Sequence, residues 1–300
     1  MSTLLERARR GERLDELGII DMHCHLGRVA HAVPWPEADG LLRTMDRIGI
    51  ATACCAHIRC LSGQIRAGND DVAAAARAHP GRIRGYVILW PASRQAVAEE
   101  VERCLGADRP AGPADAGPSK TAPGAAGFIG IKVHSGNGFS YDDPAYEPAY
   151  AAADERRMPI LYHTWGQTAE FAAIDRVAGR FGRARHLLGH AGSADPDAYV
   201  AFAAAHANVV LELCFSRCPR GLVERLVADL QAAERPAGSD APRDRRRRDR
   251  SPRRIVWGSD ATFLNQAQQI GKVLGADLPD ATKRRLLADN ARDLLADIRT

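Results

Sequence analysis

The chain lacks several features that would have pointed elsewhere. No stretch approaches the ~18 to 20 uninterrupted apolar residues of a membrane-spanning helix. Residues 1–17, MSTLLERARRGERLDEL, mix acids with bases and contain no apolar secretion core. A soluble cytoplasmic protein without a membrane partner is the expectation. The seven cysteines include the adjacent pair Cys54 and Cys55, but none is spaced CxxC. That argues against a zinc ribbon or a disulfide framework and for free thiols in a reducing compartment. No GxGxxG turn follows the first apolar run, so a doubly wound dinucleotide-binding sheet loses its main support.

The net charge of +4 misleads. Residues 235–254, RPAGSDAPRDRRRRDRSPRR, hold nine arginines and three aspartates, and without them the chain would be net negative. Such a run can contact nucleic acid. It has no aromatic residue for base stacking, so a flexible solvated insertion is the favoured reading and a nucleic-acid partner is not expected. A second insertion, rich in Pro, Gly and Ala, spans residues 107–126.

Around these insertions the chain alternates apolar strand-like runs with amphipathic helical runs. The strands are expected at 18–25, 51–58, 82–90, 128–135, 159–165, 185–192, 208–216 and 254–260, with Ser93 as the N-cap of the helix after the third. Runs apolar enough to be buried on both faces predict a parallel sheet. Eight strand–helix units in 300 residues predict an α/β fold, a single (β/α)8 TIM-like barrel with surface insertions. Both insertions fall where a helix returns to a strand, on the face opposite the usual active site. The composition is compatible with a homo-oligomer.

In such a barrel chemistry sits at the C-terminal ends of the strands. Six of the ten histidines fall there: His23, His25, His57, His134, His163 and His190. His57 reads as a hydrogen-bonded rim residue, and His31, His79, His186 and His206 as surface or strand-start residues. His23 and His25 alternate along one strand and therefore share a face. Alone, that pair fits solvated decoration, a core hydrogen-bonded pair or two ligands of one metal. Asp260 ends the eighth run, where an unpaired buried carboxylate would be costly. Together, His23, His25, His163 and Asp260 make a donor set suited to one divalent cation, with Zn2+ favoured. Lys132, near the end of the fourth strand, suits a substrate anchor or ion-pair partner better than a carboxylated metal bridge.

The segments DMHCHLG, GIKVHS, PILYHTWG, HLLGHAG, IVWGSD and LLADNARDLL, in this order, resemble the amidohydrolase-related branch of the amidohydrolase superfamily over about residues 17–297. The resemblance implies a metal-dependent hydrolase on a distorted (β/α)8 barrel. His23, His25, His163 and Asp260 match its metal ligands, and His190 matches a histidine that binds metal or activates water. GSDATF departs from the commoner GSD followed by an aromatic residue and proline. A bound cation lowers the pKa of water from 15.7 toward ~7, and His190 or Asp260 would then carry the proton as catalytic groups. The expected substrate is a small amide, ester or lactone, carboxylated and held by Arg28, Lys132, His134 or Arg217 between walls of Trp165 and Phe263. A metal-dependent decarboxylase of the same branch is the alternative reaction. A scaffold using the arginine run is the alternative of another class.

Overall fold

The structure, a computed structural model, describes residues 2–29, 35–106, 127–215, 217–234 and 253–299. Eight parallel strands form one sheet in sequential order. They are β1 (Ile19–Leu26), β2 (Ile50–His57), β3 (Ile83–Ile88), β4 (Phe128–His134), β5 (Pro159–His163), β6 (Arg185–Gly189), β7 (Val209–Glu212) and β8 (Ile255–Val256). Helix α1 (Leu4–Arg9) precedes β1, and α2 (Ala38–Ile48), α3 (Ile65–Ala78), α4 (Arg94–Leu105), α5 (Glu147–Arg156), α6 (Thr168–Arg180), α7 (Pro196–Ala205) and α8 (Leu222–Ala233) connect successive strands. After β8 come α9 (Gln266–Leu274), α10 (Asp280–Arg284) and α11 (Asn290–Ala296). This is the expected (β/α)8 barrel. Ser93 does cap α4, accepting from the Ala96 N–H.

Two layers of apolar side chains hold the barrel. Ile20, Met22, Cys54, Ala56, Tyr86, Ile88, Ile129, Leu161, Leu187, Val210 and Val256 pack together inside it, as expected of a filled barrel core. The alternate strand residues pack outward with the helices in a separate, larger cluster.

Strand β1 contains an irregularity that positions the site. Asp21 pairs with Ala53 and Cys24 with Cys55, so three steps along β1 oppose two along β2. The extra residue reverses the side-chain phase. Ile20 and Met22 face the interior before it; Cys24 and Leu26 pack with the helices after it. Without this bulge strict alternation would send His23 and His25 outward with Ile19. Asp21, fully buried, supports the bulge, accepting from the backbone N–H of His23 at 3.3 Å and of Ser259 at 2.8 Å and from Gln266 Nε2 at 2.9 Å.

Strand β8 is shorter than expected, ending at Val256 instead of Asp260. The following residues leave the β7 ladder and close the barrel against β1. Met22 N–H donates to Trp257 O at 3.0 Å, and Asp260 N–H to His23 O at 2.7 Å. The insertion expected at 235–254 also needs a corrected boundary. Arg254 belongs to the barrel, its guanidinium donating to the carbonyls of Ala203, His206 and Val209 and to Glu234. Residues 235–252 and 107–126, with His31, lie outside the described residues.

Candidate metal centre at the barrel mouth

His25, His57, His134, His163 and His190 stand at or within one residue of the C-terminal ends of their strands, and His23 lies three residues before the end of β1. The backbone at two of the site residues is unusual. His190 has φ 58° and Asp260 φ 56°, the left-handed region that non-glycine residues rarely adopt. Such conformations persist where surrounding contacts over-determine them, and they turn both side chains out of the strand direction into the mouth.

His23, His25 and Asp260 form a compact group of metal-type donors. Asp260 Oδ1 lies 3.2 Å from His25 Nε2 and 3.6 Å from His23 Nε2. Donors about 2.1 Å from a tetrahedral ion are ~3.4 Å apart, so the set fits a divalent cation. Burial opposes ionisation of Asp260, but the hydrogen bond with His25 prevails and holds the carboxyl below its usual range. Burial pushes His23 well below the ordinary imidazole value, leaving it neutral, as a ligand must be.

The hydrogen bonds assign proton positions to three rings. His190 Nδ1 lies 2.7 Å from Cys214 O, and a carbonyl only accepts, so Nδ1 carries the proton. His190 Nε2 then accepts from His163 Nδ1 at 3.1 Å, leaving His163 Nε2 with a lone pair. His23 Nδ1 faces Glu212 Oε2 at 2.9 Å while Lys132 Nζ faces its Nε2 at 2.7 Å. Burial lowers His190 to about 4, keeping it neutral near pH 7. Burial likewise lowers Lys132 to about 8, partly opposed by Asp260.

The other expected site residues divide into two sets. His163 contacts His190 and stacks on His134 with ring centroids 3.9 Å apart, but its nitrogens are not part of the compact His23–His25–Asp260 group. His134 accepts from the Gly136 N–H at 2.8 Å through Nδ1. Trp165 lies parallel to the His190 ring, centroids 5.1 Å apart and planes 5° apart. Phe263 meets His25 edge-on at 5.4 Å. Arg28 and Arg217 are exposed and nothing places them against the donor group.

Sequence reasoning missed three residues. Glu212, at the end of β7, is fully buried and touches His23. Burial pushes its carboxyl up to about 8, a hydrogen bond with Cys214 opposing. Cys214 Sγ lies 2.9 Å from both Glu212 Oε2 and His23 Nδ1, and with His23 and His190 it forms a second compact donor group. The third is Asp21. The signal was visible: GIIDMHCH and VVLELC each place an acid inside a run apolar enough to be buried, which is costly without a purpose.

A parallel barrel whose mouth gathers imidazoles and a carboxylate into a group able to hold a divalent cation is that of a metal-dependent TIM-barrel enzyme. More particularly, the chain belongs to the amidohydrolase family, whose profile matches residues 20–296. No curated protein sequence matches it. Similar solved structures include an uncharacterised TIM-barrel protein from Bordetella bronchiseptica (15% identity, 93% of this chain and 98% of that one, TM-score 0.67). A dihydroxybenzoic acid decarboxylase from a Polaromonas species, solved with manganese and 2-nitroresorcinol, is 15% identical over 93% of this chain and 97% of its own, with TM-score 0.65. The 5-carboxyvanillate decarboxylase of Sphingomonas paucimobilis is 14% identical over 93% and 99%, with TM-score 0.63. At these identities the likeness establishes the fold. Among the described residues no helix is long and apolar enough to cross a membrane.

Proposed function

We propose that this protein is a metal-dependent decarboxylase acting on a small carboxylated aromatic or ene-acid. The observation that carries the reading is where the exposed rings are. Among the described residues only Trp35, Trp165 and Phe263 are exposed large apolar side chains, and two of the three pack on site histidines. Flat apolar walls beside a cationic centre suit a planar ring bearing a carboxylate. Similar structures that carry out this reaction on aromatic acids support the same choice.

His23, His25 and Asp260 would hold the cation, with His163 joining through Nε2. An ion held there, Zn2+ or the Mn2+ bound by the Polaromonas relative, would supply a Lewis acid for substrate oxygens. The chain's own residues handle the proton. His190 is locked at Nδ1 by the Cys214 carbonyl, so Nε2 is the nitrogen that exchanges protons. In decarboxylation a π pair of the substrate takes up a proton, brought from solvent by His190 Nε2 in place of its bond from His163, at the carbon bearing the carboxylate. The carbon–carboxylate bond then breaks, its electron pair restores the π bond, and CO2 leaves. Trp165 covers one face of His190 and limits its contact with water.

Hydrolysis of an amide, ester or lactone is the second reading, favoured by family membership. It uses the same residues, with His190 or Asp260 taking a proton from water. The two separate by products. Protein stripped with chelator and reloaded with Zn2+ or Mn2+ is offered dihydroxybenzoates, carboxyvanillate, amides and lactones. Release of CO2 from a carboxylated ring supports the proposal; hydrolysis products with no CO2 from any acid would replace it with the second reading.

A further inference from the structure

Glu212 is fully buried at the end of β7, against the Nδ1 side of the His23 ring. We infer that it is a positioning residue, setting which nitrogen of His23 faces the cation and acting only through that ring. The inference rests on reading the mouth as a metal centre.

Oε2 is the accepting oxygen of the Glu212 carboxyl: the His190 backbone N–H at 3.4 Å and the Cys214 S–H at 2.9 Å both donate to it, and a proton held by the group would sit on Oε1, which has no partner among the described residues. Glu212 Oε2, 2.9 Å from His23 Nδ1, therefore draws the ring proton to Nδ1 and leaves the lone pair on Nε2. That nitrogen lies 3.6 Å from Asp260 Oδ1 and 2.7 Å from Lys132 Nζ, whose N–H points at the same lone pair and supports this tautomer from the other side. The neighbouring thiol makes the assignment necessary. Cys214 Sγ is also 2.9 Å from His23 Nδ1. If its S–H donated there, the ring proton would move to Nε2 and block the ligand position. Glu212 Oε2 lies 2.9 Å from the same sulfur and takes that hydrogen bond instead. One oxygen thus satisfies three donors, the His190 backbone N–H among them, and excludes the wrong tautomer.

The surroundings make room for the carboxylate. A β-carbon at Gly258 would lie 2.3 Å from Glu212 Oε1 and 3.0 Å from its Cδ. Glu212 Oε1 has no hydrogen-bond partner among the described residues, so a buried carboxyl with one oxygen unpaired is retained at a cost. A residue kept only for packing would carry no such cost.

Two measurements test this. Long-range 1H–15N spectra of the metal-free parent should show the His23 ring protonated at Nδ1; a proton on Nε2 would overturn the inference without any variant. Chelator competition with Zn2+ should then show Glu212→Gln binding roughly 10- to 100-fold more weakly, the usual effect of losing a ligand's outer partner, and Glu212→Asp weakened as well because it falls short of the ring. In a His23→Ala background Glu212→Gln should cost nothing further. Affinity within twofold of the parent overturns the inference, and so does a further loss without His23, which would make Glu212 a direct ligand. A parent that binds no metal overturns the metal-centre reading and this one with it. A binding parent with an unaffected Glu212→Gln overturns this one alone.

Discussion

Gly258→Ala probes the packing behind His23 with a single methyl group. The added carbon would stand 2.3 Å from Glu212 Oε1, 2.6 Å from His23 Cβ and 3.0 Å from Glu212 Cδ. Neither neighbour can yield easily. Glu212 and His23 are buried, Oε2 is held by His23 and Cys214, and His23 Cβ is fixed by the β1 backbone. The strain is steric, and inserting one carbon into a filled core costs about 1–3 kcal/mol. Two contacts far inside van der Waals range put this site at the upper end, about 2–3 kcal/mol. At ~2–4 °C per kcal/mol for a larger domain, Tm should fall by roughly 4–12 °C. Gly179 is the control. It lies within α6, and a β-carbon there meets nothing within 4 Å. Gly179→Ala should gain about 0.4–1 kcal/mol by restricting the unfolded chain. Calorimetry of both variants without metal reads the difference, and chelator competition should show Gly258→Ala binding metal more weakly as Glu212 is displaced. Melting of Gly258→Ala within a degree of the parent, with affinity unchanged, would refute the packing argument.

Other outcomes follow from the site. His23→Ala and His163→Ala proteins should carry well below one equivalent of metal by elemental analysis; full occupancy in the His163 variant would leave its Nε2 outside the ligand set. His190→Asn should keep the metal and lose on the order of 10²- to 10⁴-fold in turnover, the usual effect of losing a positioned proton carrier; loss of the metal itself would make His190 a ligand. Trp165→Ala should raise KM for an aromatic acid more than it lowers kcat, and steady-state kinetics with an unchanged KM would remove it from the substrate wall. His186 is buried, and burial lowers it from 6.5 to about 4. It is neutral between Tyr162 Oη and Phe181 O. Because the unfolded chain takes up this proton first, its contribution is complete above about pH 6.5 and lost as pH falls toward about 4, by at most ~1.4 kcal/mol per pH unit. Urea titrations should show a shallower slope in that window for His186→Gln, and equal slopes would exclude His186 as the source.

The sequence alone determined the architecture and most of the mouth. Eight apolar runs separated by amphipathic helices leave little but a parallel barrel. Histidines at the ends of five strands, with Asp260 in the segment that follows the eighth, name the rim because strand ends are local features. Reaction type was less legible. Hydrolysis and decarboxylation use the same residues, and the preference for the latter came from the exposed rings at the mouth and from similar structures. Tertiary structure decided the rest. A period of two says that His23 and His25 share a face but not which face, and the answer depends on an extra residue in β1 that appears only against the register of β2. The bulge in turn needs Asp21 tied to Ser259, 238 positions later. Glu212 reaches His23 across 189 residues, and no local pattern encodes that meeting. What the strand itself could reveal was an acid where burial allows none without a partner; the partner is supplied by closure of the barrel.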